Sequence, residues 1–98
     1  MDNKSILEID SFGNKLWRNN LGVFHRLDGP AVETLNGHKQ WCVAGKCSRE
    51  DGPAIIYSDG SKSWYLNGVR YDTKEEYFDA LSDEAKTKCL FSEDFLNG

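Results

Sequence analysis

Apolar residues fall at alternate positions in two stretches of the chain, Trp41/Val43 within residues 39–43 and Trp64/Leu66 within 63–66. A period of two is that of a strand with one face buried. Each stretch runs into a dipeptide suited to a two-residue hairpin turn, Ala44-Gly45 and Asn67-Gly68. The short β-branched runs Ala31-Val-Glu-Thr-Leu35 and Ala54-Ile-Ile-Tyr57 end in Asn36-Gly37 and Asp59-Gly60, which read as two further turns of that kind. Residues 7–13 fit as the trailing half of a truncated first hairpin. The pattern predicts an up-and-down antiparallel meander of six or seven strands. It changes after residue 71. Thr73-Lys-Glu-Glu76 is a capping box, with Tyr77, Phe78 and Leu81 at helical spacing, and Ser82-Asp-Glu84 can start a second helix through Leu90. One or two short C-terminal helices are expected.

Self-similarity is the strongest signal. Gly13-Asn-Lys-Leu-Trp17 recurs as Gly37-His-Lys-Gln-Trp41 and as Gly60-Ser-Lys-Ser-Trp64, at spacings of 24 and 23 residues. A second Gly follows each Trp (Gly22, Gly45, Gly68), with one extra residue before Gly22. Arg26-Leu-Asp-Gly-Pro-Ala31 then matches Arg49-Glu-Asp-Gly-Pro-Ala54. Pro30 and Pro53 donate no N–H, so a bulge or strand switch is expected at each Asp-Gly-Pro. The chain reads as one domain over 1–98, with β-hairpin repeats over 7–71 and a helical cap over 72–98.

Composition narrows the function. The 98 residues carry 16 acids and 12 bases, a net charge of −4, and all of the excess acid lies in residues 72–98, with eight acids against three bases. That disfavours direct nucleic-acid binding, which leaves a basic footprint. The longest apolar run is far short of a membrane span and Met1-Asp-Asn-Lys-Ser5 is no signal peptide, so a cytoplasmic protein is expected. Cys42, Cys47 and Cys89 are odd in number, and reduced thiols are the default. Across a two-residue turn Cys42 and Cys47 would face each other in disulfide range. A zinc site from Cys42, Cys47, His25 and His38 is a weak signal at that spacing. No phosphate loop, nucleophile elbow or His pair is present, and a thin sheet offers no deep cleft; neither catalysis nor a cofactor is expected.

The Gly-x-x-x-Trp period with its Asn-Gly-type turns resembles the MORN family (membrane occupation and recognition nexus) in its variant form. Arg26–Ala31 and Arg49–Ala54 resemble small repeat proteins of tailed bacteriophages and large DNA viruses. The resemblance covers residues 7–71 and implies a non-enzymatic binding module or scaffold. Its concrete form is a phage or viral protein that binds and inhibits a host protein, such as a defence factor, in the host cytoplasm. The alternative it implies is a structural or membrane-surface scaffold.

Three sets of residues are candidates. Trp17, Trp41 and Trp64 form a column, either a ligand platform or, as expected for large aromatics in a small domain, the core. Arg26 with Asp28 and Arg49 with Asp51 form either an anion clamp or the expected internal ion pair, beside Pro30 and Pro53. For a partner, the acidic cap (Glu75, Glu76, Asp79, Asp83, Glu84) and the lysine column (Lys15, Lys39, Lys62) are the charged surfaces. The lysines share the face of the Trp residues on regular strands and reach solvent because burying them unpaired is too costly.

Overall fold

Every hairpin reversal is made at a glycine, and the residues before it decide the kind of turn. In the computed structural model, which describes residues 4–98, Ala44-Gly45 and Asn67-Gly68 have both residues at positive φ (51° and 85°, 53° and 87°). They are the two-residue mirror-image turns their sequences predict. The reading of Met1–Ser5 as no leader lies mostly outside the described residues. At Asn36-Gly37 and Asp59-Gly60 only the glycine is left-handed (97° and 90°). There, Thr34 N–H to His38 C=O (2.9 Å) and Tyr57 N–H to Ser61 C=O (2.8 Å) close loops of three residues. A type I turn finished by a left-handed Gly accounts for this, and it corrects the two-residue expectation at both places. Asp10 to Asn14 makes the same closure. The extra residue before Gly22 likewise gives a three-residue loop, closed from Asn19 to Val23.

Between these turns lie β1 (Ile6–Ile9), β2 (Lys15–Arg18), β3 (Val32–Glu33), β4 (Lys39–Gln40), β5 (Cys42–Val43), β6 (Lys46–Cys47), β7 (Ile55–Ile56), β8 (Lys62–Leu66) and β9 (Val69–Tyr71). Seven form one antiparallel sheet in the order β1-β2-β3-β4-β7-β8-β9, while β5 and β6 pair only with each other as strands. The meander is therefore interrupted, and Trp41 marks the place. Its N–H binds Ala54 C=O (2.7 Å) in the main sheet and its C=O accepts from Ser48 N–H (3.1 Å) in the β5–β6 hairpin. Pairs of backbone hydrogen bonds stitch that hairpin segment to its neighbours, Arg26 N–H to Cys42 C=O and Gly45 N–H to Phe24 C=O on one side, Gly68 N–H to Cys47 C=O and Arg49 N–H to Tyr65 C=O on the other. The Asp-Gly-Pro segments are not bulges. They are loops of successive bends that carry the chain from the hairpin ends back to the main sheet, because Pro30 and Pro53 cannot donate to a ladder.

The register sorts the faces. Lys15, Glu33, Lys39, Ile56 and Lys62 form one cross-strand row. Two residues along on the same face, Leu7, Trp17, Ala31, Trp41, Ala54, Trp64 and Tyr71 form the next. Large and small residues alternate there: Ala31 and Ala54 are fully buried, each between two indoles.

Three helices follow, α1 (Lys74–Asp79), α2 (Asp83–Leu90) and α3 (Glu93–Asn97), one more than expected. Each starts at a hydroxyl, Thr73, Ser82 or Ser92, whose oxygen accepts the backbone N–H three residues on. The aromatic cluster of the core is Trp64, Tyr77, Leu81, Ala85, Cys89 and Phe95, flanked by Leu66, Tyr71 and Phe78, while Ala31, Cys42, Ala54 and Ile55 are buried within the hairpins. Trp64 meets the Tyr77 ring at 4.9 Å and the Phe95 ring edge-on at 5.9 Å. Among the described residues, no helix is long and apolar enough to cross a membrane.

Candidate functional site

The three Trp residues do not have one role. Trp64 is buried beneath the helices, whereas Trp17 and Trp41 are half-buried and lie under arginines. This corrects the expectation of a core column at two of its three positions. The guanidinium carbon of Arg26 stands 3.9 Å from the Trp17 ring centroid, and that of Arg49 stands 3.8 Å from the Trp41 centroid. Such cation–π contacts contribute about 0.5–2 kcal/mol, more as they are desolvated.

Each arginine is then locked by its own loop. Arg26 Nε donates to Asp28 Oδ1 (3.0 Å) and Nη1 to Pro30 C=O (3.1 Å). Arg49 makes the same bonds to Asp51 (3.0 Å) and Pro53 C=O (3.2 Å). The glycine of each loop covers the other side of the guanidinium. A Cβ at Gly29 would stand 2.8 Å from Arg26 Cζ, and one at Gly52 would stand 2.9 Å from Arg49 Cζ. Arg-x-Asp-Gly-Pro is thus a clasp: Trp below, Gly above, Asp and Pro at the edges. The Arg–Asp pairs are internal, and because Asp28 and Asp51 hold the Nε of each guanidinium, neither arginine keeps its Nε–Nη2 edge for a bidentate anion clamp.

The helices close over the second clasp only. Tyr77 Oη donates to Arg49 C=O and accepts from Gly52 N–H (3.4 Å). Cys89 Sγ donates to Glu50 C=O (3.2 Å), and Ser92 Oγ donates to Asp51 C=O (2.6 Å). Arg49 Nη2 donates to Asp94 Oδ2 (2.7 Å). As a result the Arg49 side chain is 10% exposed and that of Arg26 21%. Sequence reading missed Tyr77, Cys89, Ser92 and Asp94 as partners of this loop. The one available signal was Ser92-Glu-Asp94, a third helix start that resembles Ser82-Asp-Glu84.

Burial pushes the Tyr77 phenol up, with nearby Cys89 and Asp51 adding to the effect and the Gly52 N–H opposing it. The folded state therefore holds the Tyr77 proton to a higher pH than the unfolded chain does. Its contribution is complete below the ordinary phenol value of 10.0 and is lost as pH rises above it. Urea unfolding between pH 8 and 11 should show a component of stability that falls from about pH 10, on top of the earlier fall that the raised Cys42 and Cys89 thiols bring from about pH 9. In Tyr77→Phe that part of the fall should vanish, while the baseline drops by about 1–2 kcal/mol for the lost hydrogen bonds. An unchanged alkaline profile in the variant would refute the assignment.

Between the two clasps and the α1–α2 corner lies a cavity of about 850 Å³. It is lined by Arg26, Leu27 and Asp28 of the first loop, by Arg49 and Glu50 of the second, and by the apolar Trp41, Val43 and Leu66. A thin sheet was expected to have no such cleft; the loops, by leaving the sheet, create it.

The charged surfaces separate cleanly. Lys39 and Lys62 are exposed along the row through Glu33 and Ile56, and Lys62 Nζ reaches only Gly60 C=O (3.3 Å). Glu75, Glu76, Asp79, Asp83 and Glu84 are all exposed on α1 and α2. Their carboxylates have no hydrogen-bond or ion-pair partner among the described residues, in contrast to Asp28, Asp51 and Asp94.

Cys42 and Cys47 are directly opposed in register, and both are free thiols within reach of the Gln40 side-chain amide (3.5 and 3.2 Å). Burial, with Cys47 alongside, pushes the Cys42 thiol up to about 11, and burial also raises Cys89. Neither is a thiolate at neutral pH. His25 is buried with Nδ1 accepting the Ala44 N–H (2.9 Å), while His38 lies against Gln40 and Tyr57. The four residues of the weak zinc signal do not converge. Among the described residues, no three His, Cys, Asp or Glu side chains are placed to hold a metal. The chain matches no family model, no curated protein and no solved structure.

Proposed function

We propose that this is a non-catalytic protein-binding module of the MORN-variant hairpin type, which presents the acidic face of α1 and α2 to a basic surface on a host protein. The biological form of that reading is a phage or viral inhibitor of a host factor, such as a defence protein, acting in the host cytoplasm. One observation carries it: the five carboxylates from Glu75 to Glu84 are exposed and unpaired, while the acids of the clasps are all engaged. The upward push of burial on the Cys42 and Cys89 thiols argues against either of them as a nucleophile. The identical bonds of the Arg26 and Arg49 loops support the hairpin-repeat reading. An acidic face also opposes attachment to anionic lipid, which weighs against the membrane-scaffold alternative.

The test is capture from host lysate followed by titration of the retained protein. Glu75→Lys/Glu76→Lys should weaken binding about tenfold at low salt and less at high salt, as screening predicts. Lys39→Glu/Lys62→Glu should leave the affinity within about twofold, since those lysines lie on the strands and outside α1 and α2. Binding indifferent to the first pair at low salt overturns the acidic-face assignment.

A further inference from the structure

The Arg26 loop offers a second time what the helices take from the Arg49 loop, and here nothing takes it. The inner bonds of the two loops match, from the Trp stack to the Asp and Pro contacts. The outer groups differ. On the second loop the carbonyls of Arg49, Glu50 and Asp51, the N–H of Gly52 and Arg49 Nη2 are all engaged by Tyr77, Cys89, Ser92 and Asp94. On the first, the carbonyls of Arg26, Leu27 and Asp28, the N–H of Gly29 and Arg26 Nη2 have no partner among the described residues, and the second carboxylate near the guanidinium, Glu33, lies 3.7 Å away on Nη1 instead. These groups border the 850 Å³ cavity, whose apolar side is Val43 and Leu66. Of the other two acids on the rim, Glu50 lies 3.7 Å from Lys88 and Asp51 is held by Arg49.

We propose that this cavity docks a partner segment with the chemistry of the chain's own cap: a carboxylate on Arg26 Nη2, a neighbouring hydroxyl on the loop carbonyls, and an aromatic side chain against Val43. The proposal rests on the reading of the protein as a binding module and assigns it a second contact, distinct from the acidic face. The planar guanidinium favours a carboxylate over a neutral acceptor, since the charge-assisted bond is roughly twice as strong. Its position is fixed beforehand by Trp17 and Asp28, so little side-chain freedom is lost on binding.

The probe is a synthetic peptide of residues 92–98 with blocked ends, which carries Ser92, Asp94 and Phe95 in the order used on the second loop. It is titrated into the full-length, nitrogen-15-labelled chain. Saturable shifts are expected at the Arg26 side-chain Nε–H and at the amides of Leu27, Asp28, Gly29 and Val43. A peptide with Asp94→Lys should bind about tenfold more weakly, as should the wild-type peptide to a Leu27→Glu chain, where a like charge stands at the rim. Leu27 is 60% exposed, so that variant keeps the fold. Shifts centred on Gly52 and Tyr77 would mean the peptide only displaces α3, and they overturn the proposal. Silence at Gly29 with millimolar peptide overturns it as well. Because capture through the Glu75–Glu84 face is read separately, such a failure would leave the binding-module reading intact.

Discussion

Trp64→Ala should lower the unfolding free energy by about 3–5 kcal/mol, the range for emptying a large aromatic from a packed core. Trp64 is the only one of the three indoles inside the core cluster, and its removal strips partners from Tyr77 and Phe95 together. With total stability of this order for so small a domain, the variant should be largely unfolded at 25 °C. Trp41→Ala is the informative comparison. Trp41 is half-buried and its main partner is one guanidinium, so about 2 kcal/mol should be lost. Urea unfolding followed by circular dichroism separates the two, since the helical signal after Thr73 should collapse in the first variant and persist in the second. Equal losses at both positions would refute the division of the Trp residues into one core and two clasp positions.

Arg49→Ala should cost about 3 kcal/mol, because it strands several groups at once. Asp51 and Asp94 lose their cation, Pro53 C=O loses its donor, and the Trp41 face is opened to solvent. Arg49→Lys should recover little. A single ammonium cannot lie flat on the indole while reaching Asp51, Pro53 and Asp94 from three edges. Arg26→Ala should cost only about 1 kcal/mol, since its loop is more open and nothing holds its Nη2. Thermal or urea midpoints for the three variants give the ranking directly. A loss at Arg26 as large as that at Arg49 would show that the cap contacts add nothing to the second clasp.

The antiparallel strands and the helical C-terminus were legible in the sequence because both rest on short-range patterns. Alternation around Trp64, Asn67-Gly68 at the turn and Thr73 to Glu76 at the first cap each need only a few consecutive residues. The Arg–Asp pairs were legible for the same reason, being two residues apart. The turns at Asn36-Gly37 and Asp59-Gly60 were placed correctly but given the wrong length. A dipeptide does not show whether the residue before Gly takes a left-handed or a right-handed conformation. The arginines over Trp17 and Trp41 were invisible because the partners lie eight or nine residues apart across a loop. Gly29 and Gly52 pointed to unusual backbone, whereas their use is to let a guanidinium approach. The contacts of Asp94 and Ser92 with the Arg49 loop span more than forty residues. Only the packing of five-residue α3 against Trp64 brings them there.

The placement of the core at one end bears on how the chain matures on the ribosome. Every buried side chain of that cluster lies between Trp64 and Phe95. The hairpins from β1 to β7 emerge first and can pair through their turns, with their backbone registers set by local glycines. Trp64 itself has no cover until Phe95 has left the exit tunnel. Nascent chains stalled before that point would carry an open indole, an uncovered Arg49 loop and a set of two-stranded ribbons that are marginal alone. The strands from β1 to β7 thus wait, through more than thirty further residues of synthesis, for the aromatic cluster that covers Trp64, and chaperone or protease surveillance would act on the sheet during that interval.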